Sequence, residues 1–373
     1  MLLKLPNELT RILEMIKEKG YKAYIVGGYV RDSLLNINNY DVDITTSATP
    51  EVLKDIFKNY KLEENFMGLG SIKFDFNEYH IEITTFRKEY DYINHRKPSK
   101  IEFSDSLKDD LIRRDFTINA LCYDGSEIVD LFDGIRDLEN KVIRTIGVSD
   151  IRLEEDALRV LRALRFASKL DFELDSELKK AVYDNYKYLR CIAFETKHRE
   201  LKGILESECY IDVLNEYKDV FKEIFELNDL RIGLFNENMG YDLKEALFFY
   251  YSNINIYNKY LLNKGIIYVN DRVDLKYKLN EFGKDGLYDN LYFRSSVLNE
   301  DKEAFELLNT ILEDEECYNL KMLDINGEDL LKINIENTTI GKHLNMLLKA
   351  VIEEKCKNQK NELLKYLKNN ILD

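Results

Sequence analysis

Residues 24–45 read YIVGGYVRDSLLNINNYDVDIT. The pattern is a strand, a double-glycine turn at Gly27-Gly28, a short helix, and a second strand carrying Asp41 and Asp43. Side chains alternate across a strand, so Asp41 and Asp43 project from one face while Val42 and Ile44 point into a core. Two adjacent carboxylates repel each other and call for a cation, and a hard divalent metal takes oxygen ligands. Glycine at a strand-to-helix turn supplies backbone angles other residues resist. It equally lets backbone N–H groups approach a phosphate at a helix start. The chain has no GKS/T of a P-loop, and Gly68-Leu69-Gly70 lacks the third glycine of a dinucleotide fingerprint. Phosphate binding here would follow a different mode.

Outward from this stretch, the 373 residues exceed one ordinary domain. A formal net charge of −15 gives no general attraction for nucleic acid, so such a partner requires a local basic surface. Five scattered cysteines fit reduced thiols rather than a disulfide framework or a zinc site, and four dispersed histidines argue against a histidine-based metal centre. The apolar run at the N-terminus is too short for a signal peptide and nothing later approaches a membrane span, so the expected location is cytoplasmic.

Leu5–Lys19 has helical spacing, Ala23–Val26 reads as a strand, and Thr49-Pro50 starts a helix with threonine as cap and proline at the first position. Residues 71–86 alternate as a hairpin around Asn77-Glu78, with Glu82 on its second strand. Lys88–Ser99 shows no periodicity and reads as a loop. The pattern is helical from Asp109, and Ile128–Phe132 suggests a strand. Beyond Lys141 the chain reads as helices over Ile151–Lys169, Ser176–Tyr188, Phe194–Ser207, Ile211–Phe225, Lys244–Tyr251, Ile340–Glu354 and Asn358–Asn369. Residues 253–300 carry no assignable pattern. The fold class is α+β, a mixed head of about 140 residues followed by a helical body.

Three further clusters carry candidate chemistry. Glu82, if its strand neighbours that of Asp41 and Asp43, completes a carboxylate set suited to two magnesium ions roughly 3.5–4 Å apart, as in-line phosphoryl transfer uses. Arg113-Arg114-Asp115 with Asn119 is a solvated basic pair or a charge clamp for a triphosphate, Asn119 falling four residues after Asp115 on one helical face. On the helix 151–169, Arg152, Glu155, Asp156, Arg159 and Arg162 share a face. That face is a salt-bridged surface or a base-reading edge, since a carboxylate accepts from an exocyclic amine and an arginine donates to ring nitrogens and carbonyls.

Taken together, these residues resemble the class II tRNA nucleotidyltransferases (CCA-adding enzymes) and their bacterial poly(A) polymerase relatives. Val26–Asp32 followed by Asp41-Val42-Asp43-Ile44 is similar to the catalytic motif, and Glu82–Arg87 to the strand bearing its third acidic residue. Arg113–Phe116 with Asn119-Ala120 resembles the next motif, and Glu155-Asp156 with Arg159 the nucleotide-selecting E-D-x-x-R. The likeness is dense over 20–205 and resumes at 323–370. It implies a polymerase-β-like nucleotidyltransferase head (1–140), a helical neck that selects the nucleotide (141–205), a helical body (206–310) and a helical tail that binds tRNA (311–373).

The resemblance further implies Mg2+ held by Asp41 and Asp43, with Glu82 assisting as a catalytic residue. Gly27, Gly28 and Arg31 would lie against the triphosphate, with Arg113, Arg114, Asp115 and Asn119 nearby. Glu155, Asp156 and Arg159 would select the base, Asp156 and Arg159 pairing with CTP or ATP, and Arg162 would help bind the nucleotide. The implied partners are tRNA, CTP and ATP, with no membrane. The segment Arg96-Lys97-Pro98 resembles the flexible element that accompanies A-addition. Thr196 stands where the neck motif usually has arginine, which removes a contact. The alternatives are a poly(A) polymerase, an enzyme adding only the terminal A, and a non-catalytic RNA-binding protein. The last would be expected to lack Asp41, Asp43 and Glu82, and all three are present.

Overall fold

A computed structural model of the chain describes residues 3, 5–63, 70–237, 239–250, 252 and 267–371. It divides into two compact units, Met1–Glu226 and Leu227–Asp373, the division falling inside the region expected as a body.

The first unit opens with α1 (Asn7–Lys17), whose Leu9, Ile12, Leu13 and Ile16 are buried as their spacing requires. There follow β1 (Ala23–Val26), α2 (Gly28–Leu34), β2 (Asp41–Thr46) and α3 (Pro50–Ile56), the last with Thr49 and Pro50 at the expected positions. The hairpin β3 (Ser71–Phe76) and β4 (Tyr79–Thr85) turns at Asn77, which takes φ 55°. Next come β5 (Arg87–Ile93), β6 (Lys97–Phe103), α4 (Leu107–Ile112), β7 (Cys122–Tyr123) and β8 (Ile128–Val129). Six strands form one sheet in the order β3-β4-β2-β1-β7-β8, with β2 and β4 parallel and every other pair antiparallel. One face buries Ile25, Val42, Ile44, Ile72, Phe74, Ile81 and Ile83 with α1 and with Leu53 and Phe57. Period-2 alternation therefore sends the polar positions of β2, β3 and β4 to the other face.

Residues 88–99, expected as a loop, are the paired strands β5 and β6 around a tip at Asn94 and His95. Both faces of this ribbon are partly exposed, so no alternation of apolar and polar residues marks it. Helix α4 starts at a Ser106 cap and stops before Arg113, so Asp115 and Asn119 do not share a helix.

The unit continues with α5 (Gly134–Glu139), β9 (Val142–Ile143), α6 (Ser149–Glu155), α7 (Leu158–Leu170) and β10 (Glu173–Leu174), which pairs in parallel with β9. Helices α8 (Ser176–Asn185), α9 (Phe194–Leu205), α10 (Tyr210–Glu216) and α11 (Lys218–Ile224) complete it. The single helix expected over Ile151–Lys169 is broken at Asp156, whose backbone is extended (φ −132°, ψ 95°). There the N–H of Ala157 donates to the His95 carbonyl (2.9 Å), and the N–H of Leu158 to Asp156 Oδ1 (3.1 Å). The helix expected over Ile211–Phe225 likewise divides at Tyr217.

The second unit contains α12 (Tyr241–Phe249), α13 (Arg272–Phe293, interrupted at Gly283 with φ 75°), α14 (Lys302–Glu313), α15 (Gly327–Leu331), α16 (Ile340–Ile352) and α17 (Lys360–Ile371). The last two match the expected C-terminal helices. Leu275, Leu279, Leu291 and Leu308 form one apolar cluster, and Leu330, Leu347, Leu363 and Leu367 another. Of the stretch without an assignable pattern, 253–266 lies outside the described residues, as do Gly68, Leu69 and Tyr251. All five cysteines are free thiols. Among the described residues no helix is long and apolar enough to cross a membrane.

Candidate active site

The polar face of the large sheet carries two rows of ionisable side chains set by strand register. Asp43 of β2 lies opposite Glu82 of β4, which lies opposite Lys73 of β3; Asp41 lies opposite His80, which lies opposite Asp75. The basic members are drawn outward, Lys73 Nζ to Glu82 Oε2 at 2.7 Å and His80 Nδ1 to Asp75 Oδ1 at 2.6 Å. Glu82 therefore stands in the expected place, with its carboxylate turned to a lysine. Among the described residues no group of three or more His, Cys, Asp or Glu is placed to hold a metal ion.

The inner pair behaves differently. The Asp43 carboxyl is held above its ordinary value because neighbouring protein strips it of solvent and Glu82 and Asp41 add negative charge, against the opposing pull of Arg114 and Lys73. A carboxylate among like charges is stabilised by a further cation. Asp41 and Asp43 offer hard, acceptor-only oxygens on one open face, so the pair fits a divalent metal.

Two residues beyond Asp43, on the same face, Thr45 Oγ1 donates to Asp110 Oδ2 at 2.9 Å. Asp110 is fully buried and pairs with both Arg113 (2.8 Å) and Arg114 (3.3 Å). Burial alone would raise its pKa, but the two guanidiniums hold it below the usual carboxylate value. Arg114 keeps one buried nitrogen, Nε, without a hydrogen-bond partner. Gly27 separates Arg114 from Asp43 in a conformation (φ 76°) that side chains resist. A Cβ there would meet Arg114 Nη1 at 3.5 Å, Asn119 O at 3.6 Å and Asp43 Oδ2 at 3.8 Å. The glycine thus lets the aspartate row and the arginine clamp approach each other. Gly28 lies beside Asn39 and Arg31.

Arg31 is buried rather than open to a ligand. It pairs with Asp32 (2.6 Å) and donates through Nη1 to Asn119 Oδ1 (2.5 Å). Asn119 in turn donates to Asp115 Oδ1 (3.0 Å), and Asp115 Oδ2 accepts from Arg162 Nε (2.8 Å) and Nη2 (2.5 Å). The chain of bonds runs from α2 to α7. Arg31, Arg162 and Arg165 also approach the Phe166 ring, their guanidinium carbons 4.7–5.6 Å from its centroid.

Arg159 is anchored to main chain, donating to the carbonyls of Arg152 (2.8 Å) and Arg113 (2.9 Å), with Glu155 at 3.4 Å and the Tyr92 ring at 5.9 Å. Glu155 also pairs with Arg152. Asp156 Oδ2 accepts from Arg96 Nη1 of the β5–β6 ribbon at 2.8 Å. Burial raises the Asp156 pKa, opposed by Arg96 and Arg159. These side chains face a cleft of about 600 Å³, lined by Tyr92, Arg96, Arg113, Arg114, Asp156 and Arg159 among others. Asp156 and Arg159, expected to read the base, therefore share one space with Arg113 and Arg114.

Sequence reasoning passed over Thr45, Asp110 and Tyr92 as parts of this framework. Two of the three had a signal: Thr45 follows Asp43 by two on a strand, and Asp110 precedes Arg113 and Arg114 by three and four on a helix. Tyr92 had none, because its ribbon shows no periodicity.

Residues 23–144 match the Poly A polymerase head domain, and residues 269–367 match tRNA nucleotidyltransferase domain 2. The head, with its paired aspartates and arginine-lined cleft, is that of a nucleotidyltransferase. A CCA-adding enzyme of Staphylococcus haemolyticus (strain JCSC1435) is 32% identical over 398 residues, covering 98% of each chain. This chain belongs to the CCA-adding enzyme family. A crystal structure of the Bacillus stearothermophilus CCA-adding enzyme in complex with CTP shares the fold, with a TM-score of 0.61 and 23% identity over 98% of this chain and 97% of that one. A tRNA nucleotidyltransferase complexed with a primer tRNA and an incoming ATP analog aligns at 27% identity and a TM-score of 0.53, over 97% of this chain and 100% of that one. Enzymes of this family typically use divalent metals.

Proposed function

We propose that this chain completes the 3′ end of tRNA, adding C, C and A from CTP and ATP with release of pyrophosphate and without a nucleic-acid template. What supports the reading is that Asp43 and Arg114 meet across Gly27, and that Arg114 lines one cleft with Arg113, Asp156 and Arg159, in a chain that aligns end to end with a CCA-adding enzyme. The work is expected in the cytoplasm, with 1–140 as head, 141–205 as neck, and 206–310 and 311–373 as the body and tail that grip the tRNA.

Magnesium, held by Asp41 and Asp43, would lower the pKa of the primer 3′-hydroxyl and offset charge on the triphosphate. Arg114, next to Gly27, supports the triphosphate with Arg113, both paired with Asp110. Arg31, Asn119 and Asp115 act behind them, fixing Arg162 and the start of the sequence that carries Arg159. Asp156 accepts from the exocyclic amine that both cytosine and adenine carry, and Arg159 donates to the ring edge; uracil offers no such amine.

The test is incorporation on a tRNA transcript ending before CCA, with each nucleotide alone and then with mixtures. The expected product is two C with CTP alone and CCA with CTP plus ATP. A long A tail, or A added only after a supplied CC, overturns the reading in favour of a poly(A) polymerase or an A-adding enzyme.

A further inference from the structure

On the open face of the sheet, the carboxylate that would complete a metal-binding trio is already occupied. Glu82 lies between Asp43 and Lys73 in register, and Lys73 Nζ holds its Oε2 at 2.7 Å. Both side chains are about one-third exposed (32% and 33%), so the contact lies at the mouth of the site rather than in the core. The pair also lies beside Asp41, Asp43, Glu63, Asp75 and His80 in one surface pocket, where Lys73 is the one lysine among the described residues. Without it, Asp41, Asp43 and Glu82 would be three carboxylates on adjacent strands of one face, an arrangement that attracts divalent cations by itself.

We propose that Lys73 is a positioning residue that keeps Glu82 away from the aspartate pair in the nucleotide-free enzyme. Its ammonium acts as a resident cation. It reserves the third carboxylate and lowers the attraction of the face for free divalent metal, so that tight metal binding awaits the oxygens of an incoming triphosphate. This inference rests on the reading of Asp41 and Asp43 as a metal pair.

Direct Mn2+ titration of the nucleotide-free protein, followed by the electron paramagnetic resonance of unbound Mn2+, tests it. Lys73→Gln is expected to bind Mn2+ about tenfold more tightly than the wild type, the scale of a unit charge removed from a partly solvated site. Lys73→Arg, which keeps the charge, is expected to retain wild-type affinity. Adding Glu82→Gln to Lys73→Gln is expected to abolish the gain, since the released carboxylate supplies it. Unchanged or weaker Mn2+ binding by Lys73→Gln overturns the proposal, as does a gain that survives Glu82→Gln. If Asp41→Asn and Asp43→Asn bind Mn2+ as well as the wild type, the metal reading itself fails. That result is distinguishable, because it leaves the Lys73→Gln comparison intact. No tRNA or nucleotide enters the measurement, so an error in the assigned substrate cannot produce either outcome.

Discussion

Asp43 and Asp115 belong to the same site, and their surroundings push them in opposite directions. Asp43 is raised by desolvation and like charge, whereas burial of Asp115 is outweighed by Arg162, Asn119 and the N–H of Phe116, which hold it far below its ordinary 3.8. On the proposed reading of Asp43 as a metal ligand, its charge costs the unliganded fold something, while the charge of Asp115 supports the fold. Asp43→Asn is expected to abolish nucleotide incorporation yet melt at the same or a slightly higher temperature than the metal-free wild type. Asp41→Ala is expected to abolish incorporation likewise. Asp115→Asn is expected to destabilise by roughly 3 kcal/mol at neutral pH, the scale of a buried pair losing one charge. A depressed carboxyl contributes its full stability above its unfolded pKa and loses it as pH falls through the folded value. The melting difference between wild type and Asp115→Asn should then be constant above pH 5 and shrink progressively below 3.8. A difference that persists unchanged into acid would show that the Arg162 pair is not its source.

At the scale of elements, the β5–β6 ribbon and the α6–α7 break define one another. Besides the Ala157–His95 backbone bond and the Arg96–Asp156 pair, His95 Nδ1 is 2.7 Å from the Glu154 carbonyl oxygen, and its ring stacks on Tyr188 at 4.0 Å. Tyr188→Ala or His95→Ala is expected to loosen the ribbon tip, read as faster amide hydrogen exchange over 90–100 with the large sheet unchanged. Neither partner could be read in sequence. The ribbon buries neither face well, so its seven-residue strands lack the alternation that revealed β3 and β4. The break is masked because Leu153, Leu158, Leu161 and Leu164 continue an apolar stripe across it, while the hydrogen bond that replaces a helical one comes from a residue 62 positions earlier. By contrast, β2 declared itself fully, because one of its faces is core and the other is site. Asn119 does meet Asp115, through a turn rather than the helix its spacing suggested.

At the scale of the whole molecule, an enzyme with net charge −15 has to hold RNA. The C-terminal stretch 340–371 runs against that balance, with seven lysines and three glutamates. Lys357, Lys365 and Lys368 are exposed there, around and along α17. Replacing these three with Gln is expected to weaken tRNA binding about tenfold or more at low salt. It should also flatten the dependence of log K on log salt by about one for each phosphate no longer neutralised, measured by filter binding across a salt series. An unchanged slope would place the RNA grip elsewhere.

Asp156 and Arg159, the pair proposed to read the base, also differ in what secures them. Arg159 is tied to two main-chain carbonyls, so its position is inherited from the path of the backbone and tolerates drift in the side chains of Arg113 and Arg152. Asp156 sits in an extended gap between helices and is steadied by a side chain reaching in from another element. Arg159 is thus held first by backbone carbonyls, with Glu155 and the Tyr92 ring beside it, and Asp156 is the more open to retuning. Changes of nucleotide preference among descendants of this sequence should accumulate in residues 87–103 and leave the Arg159 anchor untouched.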